Sequence, residues 1–489
     1  MARTTGGLAS QRGTRRQMLR WSAGAAAAGG AAAWGGRGSG AGRVLAAASP
    51  ATQAGVTRLV FQPNYQGISY NKTFIGICQE YLDGTFNAQN KGLRATLYPG
   101  GWGNPSGVIV ESIAGSGYPD VVDSCCDDFA TYMAGDWLLP LDSYLSQDNI
   151  PISSWSVPHV QALSAGGKHY GLPSYDGPGI VAYRQDVLDG LGIAYPDATW
   201  TYTEAAAIWE QCAQSTYAPG KKRYGISFLS LDDGHINWWM HAWNGVEMDA
   251  TQTHCLVDSP QGVGALSWLS GLQTSRVGIS DSGEVGRLAG ACTAAFAMVG
   301  GWNVFDLATE LGNKYKWDLL PVPAFPGGRA TYDNIDFYAI NKATAHPDEA
   351  WMLLKYLTYE PGWQVFQMTT TLIEPCLVSL WSQWQTIVEQ AAPPLKGKQL
   401  HWFQDAAQGG YAWPTIFFAY NAIQAGSIIA AGLSRIGSGA ISPAAGLSQM
   451  ATQVDAVVAA GGREQAEAAT MASRFPTKGP AIASVVAGI

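Results

Sequence analysis

Nineteen tryptophans and twenty-one tyrosines are spread through the 489 residues, among 37 acidic and 29 basic side chains. These residue types can line a ligand site as well as build a core. Flat aromatic faces offer apolar stacking platforms, and carboxylates and amides take polar groups as directional hydrogen bonds. Most of the aromatics must build the core, so position has to choose among them. Constellations for covalent chemistry are missing: there is no G-x-S-x-G, H-E-x-x-H, P-loop or dinucleotide-type glycine pattern. The carboxylates a glycosidase pair would need are plentiful, but any large chain has them. The seven histidines are scattered, and the seven cysteines (78, 125, 126, 212, 255, 292, 376) form no repeated C-x-x-C, so neither a metal site nor a cofactor is expected. Adjacent Cys125 and Cys126 could close a small disulfide ring only with unusual peptide geometry, so two plain thiols are expected. Cys78, inside an apolar helical pattern, is expected to be buried.

Such side chains need a scaffold, and the hydrophobic pattern indicates which. Thr57-Arg58-Leu59-Val60-Phe61 reads as a strand, and Thr73 to Asn87 as a helix with apolar residues at helical spacing. Leu93 to Tyr98 reads as a second strand, and Asp120-Val121-Val122 as a third after a Tyr-Pro turn. Alternation of this kind indicates an α/β sheet with ligands at the carboxyl ends of its strands. From Trp413 onward the Ala-rich chain reads as helices separated by Gly and Ser-Pro breaks.

The N-terminal residues bear on compartment. Thr14-Arg15-Arg16-Gln17-Met18-Leu19-Arg20, the Ala/Gly-rich run from Ala23 to Ala33 and the small residues Ala46-Ala47-Ala48 have the layout of a signal peptide. The paired arginines resemble a twin-arginine export signal, a route for chains already folded. The apolar run is too short and Gly-rich to span a bilayer, and no cysteine follows it for lipid attachment. Removing residues 1–48 takes away seven arginines and no acid, so the formal charge falls from −8 to −15. An acidic chain argues against nucleic acid or an anionic membrane as the main partner. The remaining residues, about 440, exceed one ordinary core, so two lobes are expected.

Four ordered segments carry a resemblance. They are Tyr118-Pro119-Asp120-Val121-Val122 with Gly135-Asp136-Trp137-Leu138-Leu139-Pro140-Leu141-Asp142; Gly167-Lys168-His169-Tyr170-Gly171-Leu172-Pro173 with Ala182-Tyr183-Arg184-Gln185-Asp186; Ala294 to Trp302; and Leu320-Pro321-Val322-Pro323 with Tyr338-Ala339-Ile340-Asn341-Lys342 and Glu349-Ala350-Trp351. Thr199-Trp200-Thr201 and Glu204 match a helix start in the same order, with Thr201 or Thr203 placed as the cap. Together these are similar to family 1 of the extracellular solute-binding proteins, the group that includes the maltodextrin-binding protein. Arg184-Gln185 departs from that family's usual Asn-Lys.

The resemblance implies an α/β, two-lobed periplasmic-binding-protein type II fold, with hinge strands and a central ligand cleft. Lobe 1 is expected over residues 52–175 and 332–373, and lobe 2 over 176–331 and 374–489. It also implies an exported, periplasmic or extracellular monomer that binds a carbohydrate and docks on the membrane permease of an ATP-driven importer. By position in the family, Trp302 is the expected cleft aromatic, with Asn303 beside it. Asp127 falls where a sugar-binding carboxylate sits, and Ser124 where a maltodextrin-binding relative stacks a tryptophan. Gln62, Asn64 and Tyr65 occupy the first binding loop, Tyr175 and Asp176 the hinge, and Trp413 the start of a late helix. Trp238 and Trp239 fall where the second lobe contributes aromatics, and as neighbours they diverge, so at most one is expected to face ligand. Two other readings stay open: a same-fold receptor for a non-sugar solute such as a polyamine or peptide, and a secreted carbohydrate-active enzyme.

Overall fold

A computed structural model of the protein describes residues 55–63, 72–97, 119–125, 129–228, 236–249, 253–280, 283–414 and 422–460. The expected leader, residues 1–48, and the side chains of Cys125 and Cys126 lie outside them.

Two five-stranded sheets organise the chain. The first contains β1 (Thr57–Gln62), β2 (Leu93–Leu97), β3 (Val121–Cys125) and β4 (Leu172–Pro173). The second contains β5 (Ile180–Arg184), β6 (Tyr224–Phe228), β7 (Gly278–Ser280), β8 (Ala294–Val299) and β9 (Trp317–Leu320). The chain then forms β10 (Thr331–Asp333) on its way back and returns to the first sheet as β11 (Asp336–Ile340). Strand orders are β2-β1-β3-β11-β4 and β7-β6-β8-β5-β9. In each sheet one strand runs against its neighbours. It is β11 against β3 and β4 in the first, and β5 against β8 and β9 in the second. These two strands are the ones entered from the opposite lobe.

Local chemistry explains the elements. Helix α1 (Lys72–Gly84) buries Cys78 and Leu82, one turn apart, against a core that includes Leu59, Phe61 and Ala95. Edge strand β2 has its open side satisfied by side-chain amides: Gln79 accepts from the Leu97 N–H at 2.8 Å and Asn87 from the Ala95 N–H at 2.7 Å. Helix α2 (Tyr202–Gln214) starts with a reciprocal cap, in which Thr201 Oγ1 accepts from the Glu204 N–H and Glu204 accepts from the Thr201 N–H at 2.8 Å.

The central strands of lobe 2 are buried on both faces. Along β5, Ile180 and Ala182 face one core and Val181 and Tyr183 the other. A sheet covered on both sides needs this continuous apolar run. Helices α3 (Ala422–Gly437) and α4 (Pro443–Ala460) flank the Ser442-Pro443 break, and Leu433, Ile436, Leu447 and Val454 join the lobe-2 core. Trp413 departs from expectation. It lies in a short strand, β12 (Ala412–Pro414), paired in parallel with β10 so that Trp413 stands opposite Tyr332. A neighbouring strand supplied hydrogen-bond partners that favour extended backbone over a helix start.

Candidate functional site

Two chain crossings join the sheets near the carboxyl ends of their strands. Cys125 of β3 is in register with Asp336, which brings the end of β3 beside the returning crossing. Val299 of β8 is in register with Ile180, which brings the Gly300–Asn303 turn beside the outgoing crossing. Carboxyl ends of strands in α/β sheets are where ligands bind.

The two crossings are zipped together. Ser174 N–H donates to Asp336 O at 2.8 Å, Gly179 N–H to Tyr332 O at 2.9 Å, and Asn334 N–H to Gly177 O at 3.0 Å. Gly177 is required by this close approach, since a Cβ there would lie 2.5 Å from Asn334 O. The Gly177 N–H also donates to Asp333 Oδ1 at 3.1 Å.

Three buried acids occupy the crossing. His159, from the short helix Val157–Ala162 of lobe 1, stands between two of them. Its Nδ1 meets Asp176, and its Nε2 lies 2.6 Å from Asp333 Oδ2. Burial alone would favour neutral imidazole, but the two carboxylates outweigh it and push the group up to about 10. His159 is therefore an imidazolium at neutral pH. The Trp381 Nε1–H donates to Asp176 Oδ2 at 3.0 Å. Glu374, the third acid, is fully buried, and burial, reinforced by the charges of Asp176 and Asp333, holds its carboxyl well above the usual range. Burial thus favours its protonated form.

Lobe 2 presents the Gly300–Asn303 turn to this cluster. Gly301 has the Glu374 carboxyl directly against the position its Cβ would take. Asn303 is buried, and its Oδ1 accepts from the Gly300 N–H at 3.0 Å, which shapes the turn. Trp302 is half-buried, with its ring 5.6 Å from that of Tyr332 and tilted by 31°.

Sequence-expected residues thus divide by place. Trp302, Asn303, Tyr175 and Asp176 gather at the crossing. Tyr175 is buried and accepts from Asn334 Nδ2 at 3.3 Å. Gln62 and Ser124 are buried at the carboxyl ends of β1 and β3, on lobe 1's edge. Asn64, Tyr65 and Asp127 lie outside the described residues. Trp238 and Trp239, on the helix Ile236–Ala242, are buried in the lobe-2 core with ring centroids 3.7 Å apart. Trp238 turns toward Tyr332 and Trp239 toward Phe228 and Phe325. Trp413 is buried and stacks on His241 at 3.6 Å, and burial pushes that imidazole down to about 3, so it is neutral.

His159, Asp333, Glu374, Tyr332 and Trp381 were not singled out from sequence. A signal existed for two of them. His159 is the only acidic or basic residue between Asp148 and Lys168, and Glu374 the only one between Glu360 and Glu389. A lone ionisable group in an apolar stretch is one that folding must bury and compensate.

Residues 69–362 match the family described as bacterial extracellular solute-binding protein, and the chain belongs to that family. It is 25% identical over 226 residues to a probable ABC transporter-binding protein of Deinococcus radiodurans. That match covers 41% of this chain and 49% of the relative, so the chain spans about half the relative's length. Among solved structures, the ABC substrate-binding protein Lmo0181 of Listeria monocytogenes, in complex with cycloalternan, superposes with a TM-score of 0.68 at 17% identity, covering 83% of this chain and 99% of that one. The GacH receptor of Streptomyces glaucescens, solved with acarbose, gives 0.64 at 15% identity over 83% and 99%. The cyclic α-maltosyl-1,6-maltose binding protein of Arthrobacter globiformis gives 0.65 at 18% identity over 83% and 100%. These likenesses establish the two-lobed solute-binding fold. Among the described residues, no helix is long and apolar enough to cross a membrane.

Proposed function

We propose that this protein captures a carbohydrate between its two lobes and hands it to the membrane permease of an ATP-driven importer. The observation that carries this reading is the Trp302–Tyr332 pair, set beside buried carboxyl groups where the carboxyl ends of both sheets converge. Aromatic faces and directional acceptors at one place are what a pyranose needs. Solved proteins of this fold that hold cycloalternan and acarbose support a saccharide as ligand.

In this reading Trp302 stacks on the sugar from lobe 2. Gln62, Asn64, Tyr65, Ser124 and Asp127 bind it from lobe 1, and Asp176 lies at the crossing between them. Residues 52–175 with 332–373, and 176–331 with 374–489, move as the two lobes. Contacts made by both lobes exist only when they are closed, so ligand shifts the population toward the closed form. The closed monomer then docks on the permease. It binds without catalysis, outside the cytoplasm, after export through the twin-arginine leader of residues 1–48.

A thermal-shift screen of the chain from residue 49 against saccharides, polyamines and short peptides tests the reading. A ligand present at a hundredfold excess over its Kd should stabilise by about 2.7 kcal/mol. One carbohydrate family should raise the melting temperature and be recovered chemically unchanged. Consumption of the sugar, or stabilisation by a non-sugar alone, overturns it.

A further inference from the structure

Acid exceeds base at the crossing of the lobes. Asp176 and Asp333 share a single imidazolium, that of His159, so two carboxyl groups face one base. Glu374 adds a third carboxyl group within electrostatic reach of both aspartates and of Tyr332. Among the described residues no lysine or arginine is paired with Asp176, Asp333 or Glu374. Glu374 is fully buried, and neither of its oxygens has a hydrogen-bond partner among the described residues. A buried carboxyl group with no donor opposite it costs stability that a packed apolar residue would not. Its side chain lies directly on Gly301, the residue before Trp302.

We infer that the ligand is an amine-bearing saccharide, whose ammonium group pairs with Glu374 while Trp302 and Tyr332 take the sugar ring. This rests on the sugar-binding reading above. The geometry favours a single cationic group over a linear polyamine. Asp176 and Asp333 are already engaged by His159, so one acid remains for a ligand cation. An ion pair formed there is shielded from water and so is stronger than the same pair in solvent. Burial favours the protonated carboxyl in the free protein, whereas pairing with an ammonium requires the carboxylate, so the proton held there leaves to solvent on binding.

Calorimetry on the full chain with matched pairs tests this: glucosamine against glucose, galactosamine against galactose, and chitosan oligosaccharides against cello-oligosaccharides of equal length. In at least one pair the amine-bearing member should bind about thirtyfold tighter or more at pH 7, the scale for a desolvated charge pair. Its binding enthalpy should change with the ionisation enthalpy of the buffer, because a proton is released. E374Q should bind both members alike, with no dependence on buffer. If E374Q fails to fold, the wild-type ratio and buffer dependence decide the matter. Equal or tighter binding of the neutral member overturns the inference and leaves the sugar-binding reading standing. A preference that survives in folded E374Q also overturns it. Binding of spermidine, with neither member of any pair bound, overturns both readings, as does no binding at all.

Discussion

The Nε2 of His159 lies 2.6 Å from Asp333 Oδ2, so a lobe-1 helix is tied to the returning crossing. Because Nδ1 of the same ring meets Asp176, the outgoing crossing is held too. One imidazolium thus fastens both hinge segments, and it replaces the repulsion of two buried carboxylates with attraction.

Removing that cation should be costly. His159→Ala is expected to lose about 3–5 kcal/mol, as when one member of a buried ion pair is deleted. Urea unfolding followed by fluorescence would measure it. A loss below about 1 kcal/mol, far under that range, would mean that the aspartates do not depend on His159.

The same cluster sets a dependence on pH. His159 titrates near 6.5 when unfolded and at about 10 when folded. A group whose folded value is raised stabilises the fold fully below 6.5. That contribution declines as pH rises from there and is gone above about 10. Melting temperature should therefore fall between about pH 7 and pH 10, and His159→Gln should flatten the fall. An unchanged slope in the variant would assign the alkaline loss to other groups.

Trp302 is half-buried beside Tyr332, so it can lose its ring with little damage to the core. Trp302→Ala should weaken binding of the stabilising sugar by about 1–3 kcal/mol, the range of a central aromatic anchor. Titration calorimetry with a thermal melt on the same sample separates binding from folding. Unaltered affinity in a folded variant would remove Trp302 from the site.

Gly301 and Glu374 are predicted to be energetically coupled, because a Cβ at Gly301 would occupy the place of the Glu374 carboxyl. Gly301→Ala should destabilise by about 1–3 kcal/mol, the usual cost of overpacking. Glu374→Ala in the same chain should restore most of that loss, with a coupling of at least about 0.5 kcal/mol. Strictly additive effects would contradict the contact.

The reciprocal cap at Thr201 is independent of the site. Thr201→Ala should cost about 1 kcal/mol by leaving the Glu204 N–H in the first turn of α2 without its acceptor. Chemical denaturation would show it, and sugar affinity should not change.

Features set by neighbours along the chain were legible before folding was considered. The strand at Thr57–Gln62, the helix burying Cys78, the cap at Thr201 and the helices around Ser442-Pro443 depend on periodicity and backbone preference within a few residues. The two-lobed plan was legible only through the resemblance of ordered segments to a known family, since periodicity alone could not have chosen it.

Partnership was not. His159 and Asp333 are 174 residues apart, and Glu374 lies beyond both. Their isolation in apolar stretches announces burial but cannot say with whom. Nor could local pattern tell that Trp238 and Trp239 are buried in the lobe-2 core, or that Trp413 sits in a strand opposite Tyr332. Local sequence settles most of the elements named above, because those choices rest on forces acting over a turn or a strand, whereas the strand at Trp413 depended on its pairing with β10. Which buried charges compensate one another was left to the tertiary arrangement. A charge is stabilised by whatever lies within a few ångströms of it, and only the crossing of the lobes brought these residues that close.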